Sequence, residues 1–423
     1  MSMTRRQLLW SGAAATLAMT LPSRRRTAQA AGIGTPKNLI IVLAFGGWDT
    51  AYAVDPKPPG GGVDVPSGTI VTHGGIDVLE DPSRPSIEAY FTRYAPITAV
   101  VRGIRLPGIS HRACMQQILT GARNETSPDA AAIVAHANSP ELPIPYLVLG
   151  DYAFAGPYAA SMGRVGSSNQ LVGLLDPRAA YPVDGRTAAF SPNQPDEDAI
   201  RAYTLARTQR ERAVRGATGY NKRRIDDFVT SLERGDRLRD LRAGLGDRGT
   251  QLDLVAQRSL ALDAISTGVS RTIMLSSQRY WDTHEKNSDQ SSAHEFLFGN
   301  LTALVDDLAA RPGAHAGATM LDETVVAVIS EMGRTPRLNG ANGKDHWPVT
   351  SAMVIGGGVA GGRVYGGTSS TGEAQLANFT TGNVSSTGRT IEPRHFVAGV
   401  VSLCGVDPVN DLPDAEAFDA FVA

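Results

Sequence analysis

Asp49 closes the stretch Phe45-Gly46-Gly47-Trp48-Asp49-Thr50, directly after an apolar run. Its two glycines let the backbone turn tightly enough to project a carboxylate over a strand end. Asp282 and His284 are two apart in Trp281-Asp282-Thr283-His284. In extended backbone both side chains leave the same face, so a carboxylate and an imidazole converge on one cation. Glu331 follows another apolar run, in Ser330-Glu331-Met332-Gly333-Arg334-Thr335-Pro336. A carboxylate leaving a buried strand needs a cation, a hydrogen-bond donor or water, because burying it alone is strongly unfavourable. Arg334 is offered either as its salt-bridge partner or as a clamp on an oxyanion. Asp345 and His346 are adjacent in Lys344-Asp345-His346-Trp347, so joint ligation requires an irregular loop, which Asn339-Gly340-Ala341-Asn342-Gly343 supplies. His395 opens the last helical pattern. Asp49, Asp282, His284, Glu331, Asp345, His346 and His395 together offer carboxylate and imidazole ligands for one or two divalent ions, zinc or manganese ahead of magnesium, with positions left open for substrate.

Ser110 precedes the helical pattern His111 to Thr120, which stops at Gly121. The position suits an N-cap. It suits a nucleophile equally, because a helix start presents free N–H groups and partial positive charge to an anionic ester. Arg334 and Lys344 are the cations expected to steady charge developing on such a substrate. Cys114 and Cys404 are the only cysteines, and both read as buried small side chains, with no thiolate cluster for a structural zinc. His73, His136, His294 and His315 lack acidic companions in sequence and receive no role.

The elements that must position these groups follow from the apolar runs. Asn38 to Phe45 is continuous and rich in branched residues, as in a strand buried on both faces. Similar runs at Ile97–Val101, Ile144–Leu149, Thr272–Leu275, Thr324–Ile329 and Ala352–Ile355 alternate with helical patterns. That alternation predicts an α/β fold, a mostly parallel sheet flanked by helices, with functional groups at the carboxyl ends of its strands. Residues 195–262 are Arg-rich and amphipathic and predict a charged helical insertion, while Gly357 to Ser386 reads as loop bordering the site.

Lys+Arg 40 against Asp+Glu 42 gives a net charge of −2, which provides no broad basic face for nucleic acid. Arg5-Arg6 precede a short apolar run from Trp10 to Leu21 and a small-residue cleavage pattern at Ala28-Gln29-Ala30. Residues 1–31 therefore resemble a twin-arginine export signal, implying the twin-arginine translocation machinery as a partner and a periplasmic or extracellular location. The run is too short for a stable membrane span. The mature domain is expected to be residues 32–423.

The stretches around Asp49, Ser110-His111, Trp281–His284, Ser330–Pro336 and Lys344–Trp347, with Ile355–Gly362 and Val364-Tyr365-Gly366, resemble domain-of-unknown-function family 1501 over most of the mature chain and in the same order. The resemblance implies an alkaline-phosphatase-like fold, a superfamily that includes sulfatases. It also implies an acidic ligand after the first strand, a nucleophile at a helix start near His111, an Asp with a nearby His, a late acidic group that is either Glu331 or Asp345-His346, and a late His. The implied activity is metal-dependent hydrolysis of a small phosphate or sulfate ester. The sulfatase-type helix-start motif, Cys or Ser two residues before Pro and followed by Arg, is absent here. Its absence keeps a non-catalytic exported binding or assembly protein on the same scaffold as the alternative.

Overall fold

A computed structural model describes residues 36–124, 126–165, 193–216, 218–245 and 252–423. The export signal expected in residues 1–31 lies outside the described residues. The strands are β1 (Asn38–Leu43), β2 (Thr69–His73), β3 (Ile76–Glu80), β4 (Thr98–Arg105), β5 (Tyr146–Val148), β6 (Met162–Arg164), β7 (Thr272–Ser276), β8 (Thr324–Ile329), β9 (Gly333–Arg334), β10 (His346–Trp347), β11 (Val349–Gly356) and β12 (Arg363–Gly366). The helices are α1 (Pro85–Tyr94), α2 (His111–Thr120), α3 (Ala130–Asn138), α4 (Gln194–Arg215), α5 (Gly219–Leu245), α6 (Leu254–Ser266), α7 (Gln290–Ala310) and α8 (Pro393–Leu403).

The strands of the main sheet run in the order β12-β4-β11-β8-β1-β7-β5-β6. The sheet is mostly parallel, as the sequence predicts. β1 sits at its centre, parallel to both β7 and β8. Its run is continuously apolar because each face has its own core. Ile40 and Val42 join one core with side chains of α1, α6 and α7, while Leu39, Ile41 and Leu43 join the other with side chains of α2, α3 and α8. β8 divides the same way, Val326 and Val328 on one face and Val325, Ala327 and Ile329 on the other. The result is three layers, helices over sheet over helices.

β11 is the exception to parallel order. It runs antiparallel to β8 and to β4. Its first residue therefore lies at the edge where β4, β8, β1 and β7 end. That edge collects the segment before β11 together with the segments after four parallel strands.

Three further differences from the sequence reading are local. β2 and β3 form an antiparallel hairpin across Gly74-Gly75. The Gly-rich stretch from Gly357 holds an edge strand, β12, paired with β4. Within the charged stretch 195–262, α4 and α5 are the long helices, whereas Leu254, Leu260 and Ala261 of α6 belong to the core. Among the described residues no helix is long and apolar enough to cross a membrane.

His294 of α7 lies wholly inside this core. Its ring stacks against Trp48 and Tyr52, and its Nε2 donates to the Asp49 carbonyl at 3.1 Å. Burial pulls its pKa down to about 4, against an ordinary 6.5. The fold therefore holds the neutral ring, a contribution fully present above pH 6.5 and lost as the pH falls toward 4. The loss should amount to on the order of 3 kcal/mol. Urea unfolding of His294→Phe between pH 7 and pH 4 should show a visibly shallower fall in stability than the parent chain.

Candidate metal centre

Arg334 is where the site is tied together. Its side chain is fully buried. Nε donates to the Gly47 carbonyl at 2.8 Å and Nη1 to the Lys344 carbonyl at 2.9 Å. Nη2 donates to the Gly46 carbonyl and, at 2.5 Å, to Asp282 Oδ1. Arg334 is thus neither the partner of Glu331 nor a free clamp on substrate. It locks the turn after β1 to the loop after β7.

The turn after β1 is built on glycine. Gly46 and Gly47 have φ of +126° and +86°, and a Cβ on Gly46 would stand 2.8 Å from the Asp282 nitrogen. This bare backbone lets the Gly46 N–H reach both oxygens of Glu331, at 2.9 and 3.1 Å. Ser330 Oγ donates to the same carboxylate at 3.2 Å and receives the Trp48 N–H at 3.0 Å. Glu331 is completely buried.

β9 and β10 pair antiparallel with His346 opposite Arg334. The loop between them docks on the segment after β7. Lys344 N donates to the Thr283 carbonyl at 3.0 Å, Asn287 N to Asn342 O at 2.8 Å and Asn339 Nδ2 to His284 O at 2.9 Å. Asn342 takes φ of +58° in that loop, the irregularity the sequence called for between Asn339 and Gly343.

Three imidazoles meet around Asp282. His111 Nε2 lies 3.4 Å from Asp282 Oδ2, and His284 Nε2 and His346 Nε2 lie 3.2 and 3.3 Å from Oδ1. The His284 and His346 Nε2 atoms are 3.0 Å apart. Behind each ring stands an acceptor on Nδ1: Glu331 Oε1 at 2.6 Å for His111, Asp345 Oδ1 at 2.9 Å for His284 and the Ile109 carbonyl at 2.8 Å for His346. Oxygen acceptors of this kind require the proton on Nδ1. The neutral rings then turn their Nε2 lone pairs toward the Asp282 carboxylate. His111 Nε2 is buried and has no hydrogen-bond partner.

This donor set fits a divalent ion. Ligands about 2.1 Å from a tetrahedral ion lie roughly 3.4 Å from each other. Ligand atoms of His111, Asp282 and His346 fall within 4.8 Å of one another, with His284 at the more exposed rim. Partners on the far nitrogen of each ring are what orient imidazoles toward a metal. The hydrogen bond to Glu331 raises the His111 pKa, while burial, followed by the charges of His111 and Arg334, lowers that of His346. Burial pushes Asp282 up, but the hydrogen bond and charge of Arg334, with His111 and His284, outweigh it and hold the carboxyl below its usual range.

The remaining expected ligands stand elsewhere. Asp49 is buried and turned away. Its Oδ2 receives Lys344 Nζ at 2.7 Å and Asn287 Nδ2 at 2.8 Å, and its Oδ1 caps Ala51 N at 3.2 Å. Lys344, expected to face substrate, is correspondingly buried in that ion pair. Glu331 and Asp345, read as rivals for the late ligand, both stand behind histidines. The hydrogen bond from His284 lowers the Asp345 pKa. His395 takes no part in the cluster. It closes a capping box with Glu392, its Nδ1 accepting from Glu392 N at 3.1 Å, and packs edge-on to Phe379. Ser110 is the N-cap residue of α2, yet its hydroxyl makes no capping hydrogen bond. His111, near which the resemblance implies a nucleophile, joins the imidazole cluster around Asp282 instead.

Sequence reasoning missed Gln290. Its side chain accepts from Asp49 N at 3.0 Å and donates to Trp281 O at 2.8 Å and Thr283 Oγ1 at 3.1 Å. A lone Gln at a helix start carries no signal of such a task. Asp55 and Lys57 pair at 2.7 Å, and Thr368 Oγ1 donates to Asp55 at 2.5 Å, pinning the Gly-rich segment to the turn after β1.

Residues 92–388 match the family described as "Protein of unknown function (DUF1501)". The chain belongs to that family. No curated protein matches this DUF1501 chain. Among solved structures it is similar to an alkaline phosphatase superfamily protein from Vibrio parahaemolyticus, at 12% identity and TM-score 0.36, covering 88% of this chain and 67% of that one. It is also similar to the C-terminal periplasmic domain of EcEptC from Escherichia coli in complex with Zn, at 9% identity and TM-score 0.34, covering 77% and 74%. A third is the lipoteichoic acid synthase LtaP from Listeria monocytogenes, at 9% identity and TM-score 0.39, covering 92% and 77%.

Gly46→Ala should damage the DUF1501 site twice, through its positive φ and through the contact with the Asp282 backbone. We expect a loss of about 2 kcal/mol or more in urea unfolding, against about 1 kcal/mol for Gly60→Ala, where φ is also positive but space is open.

Proposed function

We propose that this chain is an exported, metal-dependent hydrolase of phosphate or sulfate esters that holds one divalent ion, zinc ahead of manganese. The observation that carries the reading is the convergence of the His111, His284 and His346 Nε2 atoms on Asp282, each ring fixed from behind. Three neutral imidazoles and one carboxylate leave net positive charge on a divalent ion, which suits an anionic ester. A bound ion supplies Lewis-acid polarisation of an ester oxygen.

The chain's own residues do the rest. Glu331 and Asp345 keep His111 and His284 in the Nδ1–H tautomer, and Arg334 keeps Asp282 ionised and aimed. The attack on an ester centre is assigned to Ser110, which adjoins His111 in sequence and whose hydroxyl makes no capping hydrogen bond, with the start of α2 favouring negative charge beside it. Export rests on Arg5-Arg6 and the apolar run after them.

One observation favours a second reading, a non-catalytic binding or assembly protein on the same scaffold. Arg334 and Lys344, the cations set aside for charge stabilisation, are both buried and internally paired.

Elemental analysis of the purified full chain should find one zinc or manganese per chain. Asp282→Asn and His346→Ala should each lose it, with metal affinity down at least tenfold. The parent chain should turn over a member of a panel of phosphate monoesters, phosphate diesters and sulfate esters, and Ser110→Ala should slow that turnover at least a hundredfold if the hydroxyl attacks. Metal retained without turnover of any ester, and no effect of Ser110→Ala, establishes the binding reading instead. Residues 1–31 fused to a folded reporter should carry it out of the cytoplasm, and the pair Arg5→Lys with Arg6→Lys should keep it inside.

A further inference from the structure

Arg105, Arg123 and Arg394 line one cavity of about 590 Å3, formed where the end of β4, the last turn of α2 and the start of α8 meet. Gln117 and Thr390 add polar groups to its wall, and Glu392 adds a carboxylate. The volume lies in the range of small-molecule sites, about 300–1,000 Å3.

The charges in this cavity are unbalanced. Glu392 is already engaged, capping the first turn of α8 and pairing with Arg394 Nε at 3.0 Å. The guanidiniums of Arg105 and Arg123 make no hydrogen bond or ion pair with any described residue, the Arg105 backbone N–H alone donating to the Ile391 carbonyl at 2.8 Å. Three guanidiniums against one carboxylate leave two positive charges over a concave wall. Guanidinium forks match the paired oxygens of phosphate and sulfate, and a concave surface concentrates their field.

The cavity is distinct from the imidazole cluster. His111 is the first residue of α2, while Gln117 of the same helix and Gly121, its C-cap, line the cavity. At 1.5 Å per residue, Gln117 lies about 9 Å along the helix axis from His111. We propose that this cavity is a second anion-binding site, taking a phosphate or sulfate group of metabolite size through Arg105 and Arg123. The proposal does not depend on ester hydrolysis at the metal centre.

Isothermal titration of the full chain with inorganic phosphate, sulfate and glycerol phosphate tests it. We expect binding of at least one of the three, weakened at least tenfold in the double variant Arg105→Gln with Arg123→Gln and retained in His346→Ala. Both arginines are exposed, so the double variant should keep the parent far-UV circular dichroism and unfolding midpoint. Tighter binding of glycerol phosphate than of inorganic phosphate identifies an esterified group as the ligand, and the reverse order a free anion. No binding of any of the three, or affinity unchanged in the double variant, overturns the proposal. So does binding that disappears in His346→Ala while the arginine variant keeps it.

Discussion

A single buried guanidinium sets the terms for everything at the strand ends. Arg334 donates to two carbonyls of the turn after β1, to the carbonyl of Lys344 and to the Asp282 carboxylate. Those groups belong to three separate segments. A buried cation must have its donors satisfied, and carbonyl oxygens that already point inward are the cheapest acceptors. The glycines at 46 and 47 exist in this arrangement because a side chain on either would enter the space that Arg334 or the Asp282 backbone occupies. Removing such a cation does not merely delete contacts. It leaves Asp282 without its counter-charge and three carbonyls without donors, a penalty larger than the net worth of any one bond.

The histidines depend on a second layer of the same logic. Each ring is held by its far nitrogen, and the holders come from different places: a buried glutamate after β8, an aspartate at the rim and a backbone carbonyl just before α2. Glu331 can hold His111 only because Gly46 N and Ser330 Oγ stabilise its charge in a fully buried position. The antiparallel course of β11 is what allows His346 to take part at all. Had β11 run parallel to β8, the segment before it would have emerged at the opposite edge of the sheet.

Much of this was written in local sequence. The continuous apolar runs announced strands covered on both faces, and the split of β1 between two cores shows why alternation was absent. Asp282 and His284 do converge, but through a turn and not an extended strand: Thr283 N donates to Trp281 O at 3.0 Å and His284 N to Asp282 O at 3.1 Å. Asp345 and His346, adjacent in sequence, diverge: one supports the His284 Nδ1 while the other brings its own Nε2 to the cluster. What local sequence did not carry was the order of shells. Asp49, Glu331 and Asp345 all stand where a ligand is expected. Whether such a carboxylate faces the cluster or the back of an imidazole depends on contacts distant in sequence, 220 residues apart for Glu331 with His111 and 61 for Asp345 with His284. His395 shows the opposite error, a helix-start residue whose side chain is spent on its own backbone.

Charge limits how many ions the proposed centre would hold. A second divalent cation on the buried side of the turn would call on the Asp49 carboxylate. That carboxylate already receives an ammonium at 2.7 Å, an amide at 2.8 Å and a backbone N–H at 3.2 Å. Lys344 brings one positive charge where a metal would bring two, and unlike a metal it cannot leave. A dication entering there must displace the ammonium inside the protein, where stranding a charge costs several times the about 1 kcal/mol that like charges exchange in water. With Lys344 fixed on Asp49 and Arg334 fixed on Asp282, the balance of charge favours one ion among His111, His284, His346 and Asp282 over a pair.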